Sequence, residues 1–334
     1  MNPLDVALLR HLRAASWHLP GADLAAQLRV PLATVKDRIA ALREAGFEIE
    51  QHPGLGYRLL DAADRLIADD LLARLGPCAL IREITVLAET DSTNERAAWL
   101  GRAGVAPGVA IFAERQTAGR GRFGRRWESL SHRGLWFSLL LRPALPLEAW
   151  GRLTTWAAIG VAVAIERHLG LGVGVKWPND LQAGGRKVAG ILAETFVDAG
   201  GAPFAVVGIG VNVNHEPADF PAELAEKAGS LRSAAGRTID RPALAAEILR
   251  SLDAQVAALH TDFPALVAAA ARRSTLLGEW IALRAGAEVV TGLATGLDAS
   301  GQLLLQLEDG TVRTLHAGEV TLLPRARGPI GYGK

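Results

Sequence analysis

The segment that most restricts the possible folds is GVGVKWPNDLQAGGRKVAGILAE, residues 172–194. Two strand-like runs flank the AGG turn, and Pro178 excludes a helix through the corner that precedes them. Asn179 and Asp180 follow directly after a strand, where a carboxylate can hold a metal ion or orient a partner group. Lys187 lies on the returning strand among apolar residues, so its side chain either extends outward to solvent or is directed at a bound anion. The segment therefore predicts a β-sheet with charged groups gathered at one corner.

Residues 119–127, GRGRFGRRW, combine three glycines with four arginines in nine positions. Glycine allows positive φ angles and lets a ligand approach the main chain closely. Arginine supplies permanently charged, forked donors that fit phosphate or carboxylate oxygens. The stretch follows the strand-like GVAIFAERQ, which ends at Gln116, and it predicts a loop that closes over an anion.

Two further motifs precede and follow these segments. DSTN, residues 91–94, lies between the strand-like EITVLAE and an alanine-rich helix, so Ser92 is either the helix N-cap or a ligand contact. FAVVGIGVNVN, residues 204–214, predicts a strand whose glycines allow a ligand to approach closely. The patterns GxxxxGK[ST] and HExxH are absent from the sequence, and no GxGxxG opens a helix after a strand. If phosphate is bound, the candidate groups are loop amides together with Arg120, Arg122 and Lys187.

The first sixty residues predict three short helices followed by a hairpin. NPLD at residues 2–5 starts the first helix, the second follows Gly21, and the third runs from about residue 31 to residue 45. FEIEQHPGLGYRLL, residues 47–60, alternates around the turn PGLG and indicates a hairpin. This order is that of a winged helix-turn-helix with the third helix as candidate recognition helix. The alternative is a small helical domain for protein contacts.

The prediction of DNA binding depends on the placement of polar groups more than on charge. Residues 1–60 hold seven Lys or Arg against six Asp or Glu, a balance that does not by itself indicate DNA binding. Thr34 and Lys36 on the third helix are the better candidates for contacts with base edges. Phosphate contacts are expected from exposed turns of that helix and from the wing, at Arg38, Arg43, His52 and Arg58.

The composition excludes several classes of protein. The chain has 334 residues, of which 49% are hydrophobic and 21% charged, and a formal net charge of +1. This length suffices for two or three domains, while the charge argues against a broad nucleic-acid surface or an acidic tail. Cys78 is the single cysteine, which excludes an internal disulfide and a thiolate zinc cluster. The charged N-terminus does not resemble a signal peptide, and the apolar run at residues 154–165 is too short to span a bilayer. We expect a soluble cytoplasmic protein without membrane contact.

Taken together, five motifs resemble those of the biotin protein ligases, specifically the bifunctional type that also represses biotin synthesis genes. DSTN, ERQTAGRGRFGRRW, KWPND, RKVAGILAE and GIGVNVN occur in the family's order and at about its spacing. The resemblance covers nearly the whole chain and implies an α+β multidomain fold. Its parts are a winged helix-turn-helix over 1–62, a mixed α/β ligase domain related to class II aminoacyl-tRNA synthetases over 63–272, and a C-terminal SH3-like β-barrel over 273–326.

The resemblance implies a two-step reaction that uses biotin, ATP and Mg²⁺. The carboxylate of biotin attacks the α-phosphate of Mg-ATP to give biotinyl-5′-AMP and pyrophosphate. A lysine of the biotin carboxyl carrier protein of acetyl-CoA carboxylase then displaces AMP. Because the first step brings two anions together, cationic donors must offset their repulsion and hold the α-phosphate in line. A loop ordered over the adenylate would exclude water from it.

By the same resemblance, the motif residues take separate roles. The catalytic set is Arg120, Arg122, Asp180 and Lys187, with Asp180 placing the metal that ATP carries or the incoming lysine. Biotin would be bound by Ser92, Thr93, Asn94, Gln116, Arg120, Gly121, Arg122 and Lys187. The adenylate would be bound by Arg122, Trp127, Asn179, Lys187 and Asn212, with residues 215–230 as a second loop over the adenine. The resemblance also implies operator DNA bound through Thr34, Lys36 and Arg38, and a homodimer that forms on adenylate binding.

Two departures from the family pattern and two alternative functions remain. Phe123 stands where the family's loop usually has a basic residue, and the third helix begins with Pro31 and Leu32 where relatives favour Ser or Thr. The DNA specificity therefore cannot be transferred. One alternative is a lipoate or octanoate ligase on a related core, which GRGRFGR and KWPND disfavour. The other is a transcription factor that senses biotin without ligase activity, which the complete set of catalytic side chains disfavours.

Overall fold

The computed structural model describes residues 2–62, 64–285, 288–316 and 318–322. Within these ranges the chain forms three β-sheets and ten α-helices. The predicted domain limits at residues 1, 63 and 326 lie outside the described residues.

Three helices and a two-stranded hairpin form the N-terminal domain, in the order that the sequence predicted. The Leu4 backbone N–H donates to Asn2 Oδ1 at 3.0 Å, and Pro3 occupies the first helical turn, so the N-terminus of the first helix is capped. Leu8 and Leu9 are fully buried against the other helices. The elements are α1 (Pro3–Ala14), α2 (Gly21–Leu28), α3 (Leu32–Glu44), β1 (Phe47–His52) and β2 (Gly56–Ala62).

A seven-stranded mixed sheet forms the centre of the molecule. Its strands are β3 (Glu83–Thr90), β4 (Val109–Gln116), β5 (Gly134–Leu141), β6 (Gly174–Lys176), β7 (Asp180–Ala183), β8 (Arg186–Val197) and β9 (Pro203–Asn212). They lie in the order β3-β4-β5-β9-β8-β7-β6, with β3 parallel to β4 and the other neighbours antiparallel. All eight residues of β5 are buried. The predicted AGG turn joins β7 to β8 through Gly184 and Gly185, whose φ angles of 56° and 77° favour glycine.

Helices cover the sheet and supply most of its hydrophobic partners. The apolar run at residues 154–165 lies within α6 and is largely buried, which confirms it as a core helix. No helix in the described part of the chain is long and apolar enough to cross a membrane. The helices are α4 (Ala68–Leu75), α5 (Thr93–Arg102), α6 (Arg152–Leu169), α7 (Leu231–Ala235), α8 (Arg241–Val256), α9 (Ala258–Thr261) and α10 (Phe263–Arg272).

A five-stranded antiparallel sheet forms the C-terminal domain. Its strands are β10 (Trp280–Ala285), β11 (Glu288–Leu297), β12 (Leu303–Gln306), β13 (Val312–Leu315) and β14 (Glu319–Leu322). They lie in the order β13-β12-β11-β10-β14. Trp177 of the KWPND motif is buried in this domain's core, and its indole Nε1–H donates to the Gly301 carbonyl at 3.0 Å. The corner that the sequence singled out therefore joins the central and C-terminal domains.

Arg241, at the start of α8, is a fully buried cation that joins distant parts of the chain. Its guanidinium donates to Glu114 Oε2 on β4 at 2.8 Å, to Asp64 Oδ1 at 2.8 Å and to the Gly134 carbonyl at 3.0 Å. Glu114 also accepts the Leu66 backbone N–H at 2.8 Å. The connection from the N-terminal domain is thereby bonded to both the central sheet and α8.

We expect Arg241→Ala to destabilise the protein by about 3–5 kcal/mol, because Glu114 would remain buried without its cation. Arg115→Ala is the matched control, since its ion pair with Glu89 is exposed on both sides and contributes about 1 kcal/mol or less. Urea unfolding followed by tryptophan fluorescence measures both variants. Similar unfolding midpoints for the two would show that the Arg241 cluster does not stabilise the fold.

Candidate active site

A cleft with about 470 Å³ of empty space opens where the predicted motifs meet. It lies over strands β5, β8 and β9, beside the N-terminus of α5. The lining residues are Ser92, Thr93, Asn94, Gln116, Arg120, Gly121, Arg122, Trp127, Phe137, Asn179, Lys187, Gly190, Ile191, Leu192, Gly208, Ile209 and Gly210. All eight residues predicted to bind biotin therefore border one cleft. They come from four separate places in the chain, at residues 92–94, 116, 120–122 and 187.

The N-terminus of α5 is capped by Gln116 rather than by Ser92. Ser92 occupies the N-cap position, but its hydroxyl makes no capping hydrogen bond. The Thr93 backbone N–H instead donates to Gln116 Oε1 at 2.8 Å, and Gln116 Nε2–H donates to Ser129 Oγ at 2.8 Å. The capping interpretation of Ser92 is thus wrong for its side chain, which is buried at the cleft.

Asn94 is fixed at the same end of the cleft by residues that sequence reasoning did not assign. Its Oδ1 lies 2.6 Å from Ser138 Oγ, and its Nδ2–H donates to Glu194 Oε2 at 2.8 Å. Ser138 is a fully buried hydroxyl within the apolar strand β5. A single polar residue inside an otherwise apolar strand was the available signal, because buried hydroxyls require partners.

Trp127 forms the floor of the cleft because two strand glycines make room for its indole. A Cβ on Gly210 would lie 2.6 Å from Trp127 Cε2, and one on Gly190 would lie 2.9 Å from Cζ3. Gly208 likewise leaves space for Asn94, because a Cβ at this position would lie 2.1 Å from Asn94 Oδ1. The GIGVN glycines were predicted to admit a ligand, and Gly208 and Gly210 do border the cleft, where their nearest side-chain neighbours are Asn94 and Trp127. They shape the cleft through Trp127 and Asn94.

Lys187 is directed into the cleft and does not extend outward to solvent. Its Nζ lies 2.7 Å from Asp180 Oδ1 and 5.1 Å from the centroid of the Trp127 ring, a cation–π distance. Asp180 itself is not among the lining residues. The carboxylate therefore holds the lysine from behind, and the ammonium group faces the cleft.

The arginines of the 119–127 loop differ in what they contact. Arg122 donates to Asn179 Oδ1 at 3.0 Å, and burial lowers the pKa of its guanidinium. Arg120 was predicted to bind phosphate, but its guanidinium is held by two carboxylates, Glu95 and Glu194. Arg120 is therefore an ion-paired group that borders the cleft, and its predicted contact with phosphate stays a prediction.

Phe123 and Arg125 lie at the outer part of the same loop. Phe123 is 66% exposed, and its φ of 58° places a non-glycine residue in the left-handed region. The Arg122 guanidinium lies 4.8 Å from its ring centroid. Arg125 pairs with Glu319 of β14, so the C-terminal domain also contacts the loop.

Asn212, predicted at the nucleotide, is not a lining residue of the cleft. It is buried, and its Nδ2–H donates to the Gly229 carbonyl at 3.1 Å. The side chain thus bonds the end of β9 to the 215–230 segment. The predicted contact of Asn212 with the adenylate stays a prediction.

Two arginines of the predicted DNA surface are occupied within the N-terminal domain. Arg38 forms a bidentate pair with buried Asp5, including a 2.7 Å bond from Nε to Oδ1, and Arg43 donates to the Ile49 carbonyl at 2.9 Å. Both were expected on exposed turns; Arg43 is exposed and Arg38 is half-buried, and both join α3 to its neighbours. Lys36 is exposed and Thr34 half-buried on α3, as a recognition surface requires.

Other reactive groups do not contribute to the cleft. Among the described residues no group of three or more His, Cys, Asp or Glu side chains could hold a metal ion. Cys78 is not a lining residue, and burial raises the pKa of its thiol, which disfavours a thiolate nucleophile.

Comparison with known proteins agrees with this geometry. Three family models match the chain: Biotin/lipoate A/B protein ligase family at residues 86–214, Biotin protein ligase C terminal domain at 276–323, and HTH domain at 7–58. The fold and cleft thus define a protein of the biotin and lipoate ligase class, preceded by a helix-turn-helix domain.

Individual relatives narrow this class. The bifunctional ligase/repressor BirA of Bacillus subtilis is 31% identical over 321 residues, which is 93% of this chain and 95% of the relative. The biotin–[acetyl-CoA-carboxylase] ligase of Mycobacterium tuberculosis is 35% identical over 250 residues, covering 72% and 90%. The structure of Aquifex aeolicus biotin protein ligase with biotin and ATP aligns with a TM-score of 0.63 at 31% identity, covering 73% of this chain and 99% of that one. The chain belongs to the biotin protein ligase family.

His215 is a buried, neutral member of an aromatic cluster behind the cleft. Its ring stacks on Phe220 at 5.1 Å and lies edge-on to Trp136 at 5.7 Å, and Trp136 lies edge-on to Trp127 at 6.2 Å. Burial lowers the pKa of His215 to about 4. Protonation of this imidazole therefore opposes folding.

We expect acid to destabilise the fold through His215. An unfolded histidine has a pKa of about 6.5, so between pH 6.5 and about 4 the unfolded chain takes up a proton that the folded chain does not. Above pH 6.5 the free energy of unfolding does not depend on His215, and it falls by about 3 kcal/mol as the pH is lowered through this window. His215→Phe keeps the ring stack and removes the titration. Urea unfolding at pH 7, 5.5 and 4 should show a smaller loss for the variant, and parallel losses would contradict the assignment.

Proposed function

We propose that this protein is an ATP-dependent biotin protein ligase that forms biotinyl-5′-AMP and transfers biotin to a lysine of the biotin carboxyl carrier protein of acetyl-CoA carboxylase. The single observation that carries the proposal is the convergence of DSTN, the Gly-Arg loop, KWPND, RKVAGILAE and GIGVN on one cleft. The Aquifex aeolicus ligase, whose structure contains biotin and ATP, has a similar fold. Biotin and ATP are therefore the proposed substrates.

The cleft has two chemically different ends. One end carries neutral polar groups, from buried Ser92, Thr93 and Asn94 and from half-buried Gln116. These groups suit the head group of biotin because buried amides need hydrogen-bond partners. The other end carries cations and the Trp127 indole. We assign the first end, with Arg120 and Gly121 at its rim, to biotin, and the second to the adenylate.

Adenylate formation requires positive charge at the reacting atoms. A biotin carboxylate oxygen bonds to the α-phosphorus while the bond from that phosphorus to the pyrophosphate oxygen breaks. Lys187 and Arg122 supply cations that offset the repulsion between carboxylate and phosphate, and the ion pair with Asp180 keeps Lys187 in place. Trp127 Nε1–H is buried and donates to no described group, so it is free to bond the adenylate. Asn179 positions Arg122, while Asn212 orders the 215–230 segment over the adenine.

In the second step the amine nitrogen of the carrier lysine bonds to the acyl carbon, and the bond from that carbon to the phosphate oxygen breaks. AMP leaves, and the amine loses a proton. Asp180 is our candidate for orienting the incoming lysine or the Mg²⁺ of ATP. We infer that Mg²⁺ enters with ATP.

We propose that the N-terminal domain makes the enzyme a biotin-responsive repressor. Thr34 and Lys36 would contact operator DNA, with Arg38 orienting α3 through Asp5. Because Arg38 and Arg43 are engaged internally, few cations remain for phosphates, and a single domain should bind weakly. A homodimer that forms on adenylate binding would present two half-sites.

We also propose the finer architecture of the molecule. The N-terminal domain spans 1–62, the ligase domain 63–272 and the C-terminal domain 273–326. The mixed sheet with a parallel edge supports a relation to class II aminoacyl-tRNA synthetases. The shared core of Leu283, Leu305 and Val320 supports an SH3-like barrel. We infer a cytoplasmic location, where carrier protein and operator DNA would both be accessible.

Lys187→Ala should slow adenylate formation by roughly 10²–10³-fold, because the lost cation acts where charge develops in the transition state. Single-turnover release of pyrophosphate from ATP and biotin measures this step. Lys36→Ala is the matched lysine control, since Lys36 lies in the N-terminal domain and should leave the rate unchanged. A normal rate for Lys187→Ala would remove Lys187 from the chemistry.

A transfer assay tests which acid the enzyme uses. Radiolabelled biotin should be transferred to a carrier domain and detected by mass, while lipoate and octanoate should not be transferred. Preference for lipoate or octanoate would identify the related class of ligase. Absence of transfer with any acid would leave a sensor without ligase activity.

We expect biotinyl-AMP to raise both the sedimenting mass and the affinity for promoter fragments upstream of biotin synthesis genes. The ligand can shift the monomer–dimer equilibrium only by its differential affinity for the two states. Lys36→Ala should weaken DNA binding by about 1–3 kcal/mol per half-site without changing the mass. If biotinyl-AMP changes neither the sedimenting mass nor the DNA affinity, the coupling between adenylate binding and repression is contradicted. Phe123, which departs from the family pattern in the loop, would then be the first residue to replace.

A further inference from the structure

Glu194, on β8, is a carboxylate shared between the head-group end of the cleft and the Gly-Arg loop. Its Oε2 accepts the Asn94 amide at 2.8 Å, and its Oε1 accepts the Arg120 guanidinium at 2.6 Å. The side chain is 20% exposed. Arg120 also pairs with Glu95. One carboxylate thus uses both oxygens, each toward a different wall of the cleft.

The orientation of the Asn94 amide follows from the available protons. Ser138 Oγ lies 2.7 Å from Thr93 Oγ1 and 2.6 Å from Asn94 Oδ1, but a hydroxyl has one proton to donate. The consistent arrangement is that Thr93 donates to Ser138, Ser138 donates to Asn94 Oδ1, and Asn94 Nδ2–H donates to Glu194. The chain of donors ends at a carboxylate, which only accepts. A charge-assisted bond to Arg120 completes the network.

We propose that Glu194 is a positioning residue that couples occupancy of the head-group end to closure of the Gly-Arg loop. Because Asn94 and Arg120 share one carboxylate, a ligand that holds the Asn94 amide also fixes the anchor of Arg120. In turn, a closed loop fixes the donor that Asn94 presents to biotin. This inference rests on the proposed ligase function and assigns to it a residue that does not border the cleft.

Glu194→Gln tests the coupling because an amide has a single acceptor oxygen and can satisfy only one of the two partners. We expect the biotin KM and the dissociation rate of biotinyl-AMP each to rise about tenfold. Pyrophosphate release at saturating biotin should remain near the wild-type rate. Glu95→Gln should speed dissociation and raise the biotin KM less than Glu194→Gln does, because the Asn94–Glu194 bond is retained. Glu89→Gln, which breaks an exposed ion pair with Arg115, should change neither quantity.

A double-substitution cycle separates coupling from a local packing effect. In an Arg120→Ala background, Glu194→Gln should still raise the biotin KM but should not speed dissociation further. Glu194→Asp keeps both oxygens on a shorter side chain and should lie between wild type and Glu194→Gln. It also carries the test if the glutamine variant fails to fold.

The outcomes are distinct for the two proposals. If the wild type forms no adenylate from any acid, the ligase function itself fails. If the wild type is active and Glu194→Gln matches Glu89→Gln in both readouts, the coupling is overturned. Strictly additive effects of Arg120→Ala and Glu194→Gln on dissociation would also overturn it.

Discussion

The buried guanidinium of Arg241 is the interaction on which the arrangement of the domains depends. A cation without solvent contact is tolerated only when several acceptors surround it. Asp64, Glu114 and the Gly134 carbonyl supply these acceptors from the linker and two central strands. Since β4 and β5 also carry cleft residues, the network that holds the N-terminal domain on the ligase domain also holds the edge of the cleft in place.

Three glycines shape the cleft because they have no Cβ. Gly190 and Gly210 leave space for the Trp127 indole, and Gly208 leaves space for the Asn94 amide. A methyl group at any of these positions would displace one of these two side chains. The strands thus supply the glycines that line the cleft, and the Gly-Arg loop supplies Trp127 and the rim.

Charge in the cleft is arranged in pairs. Lys187 is held by Asp180, and Arg120 by Glu95 and Glu194. Arg122 contacts a neutral amide instead. Each partner fixes a long, flexible side chain, which reduces the entropy lost when an anion binds. A chain with almost no net charge can in this way present localised positive charge to two reacting anions without a broadly basic surface.

The sequence by itself determined the secondary structure of the N-terminal domain, the core helix at 154–165 and the β7–β8 turn. These follow from local causes: Asn2 caps a helix, an apolar run forms a buried helix, and paired glycines adopt positive φ. Only the tertiary structure decided that Gln116 rather than Ser92 caps α5 and that Arg38 and Arg120 are ion-paired. It also decided that Glu194 joins Asn94 to the loop. The physical reason is that a polar group's partner is selected by distance in space. Residues 94, 120 and 194 lie on α5, in the Gly-Arg loop and on β8, and they become neighbours only in the folded chain.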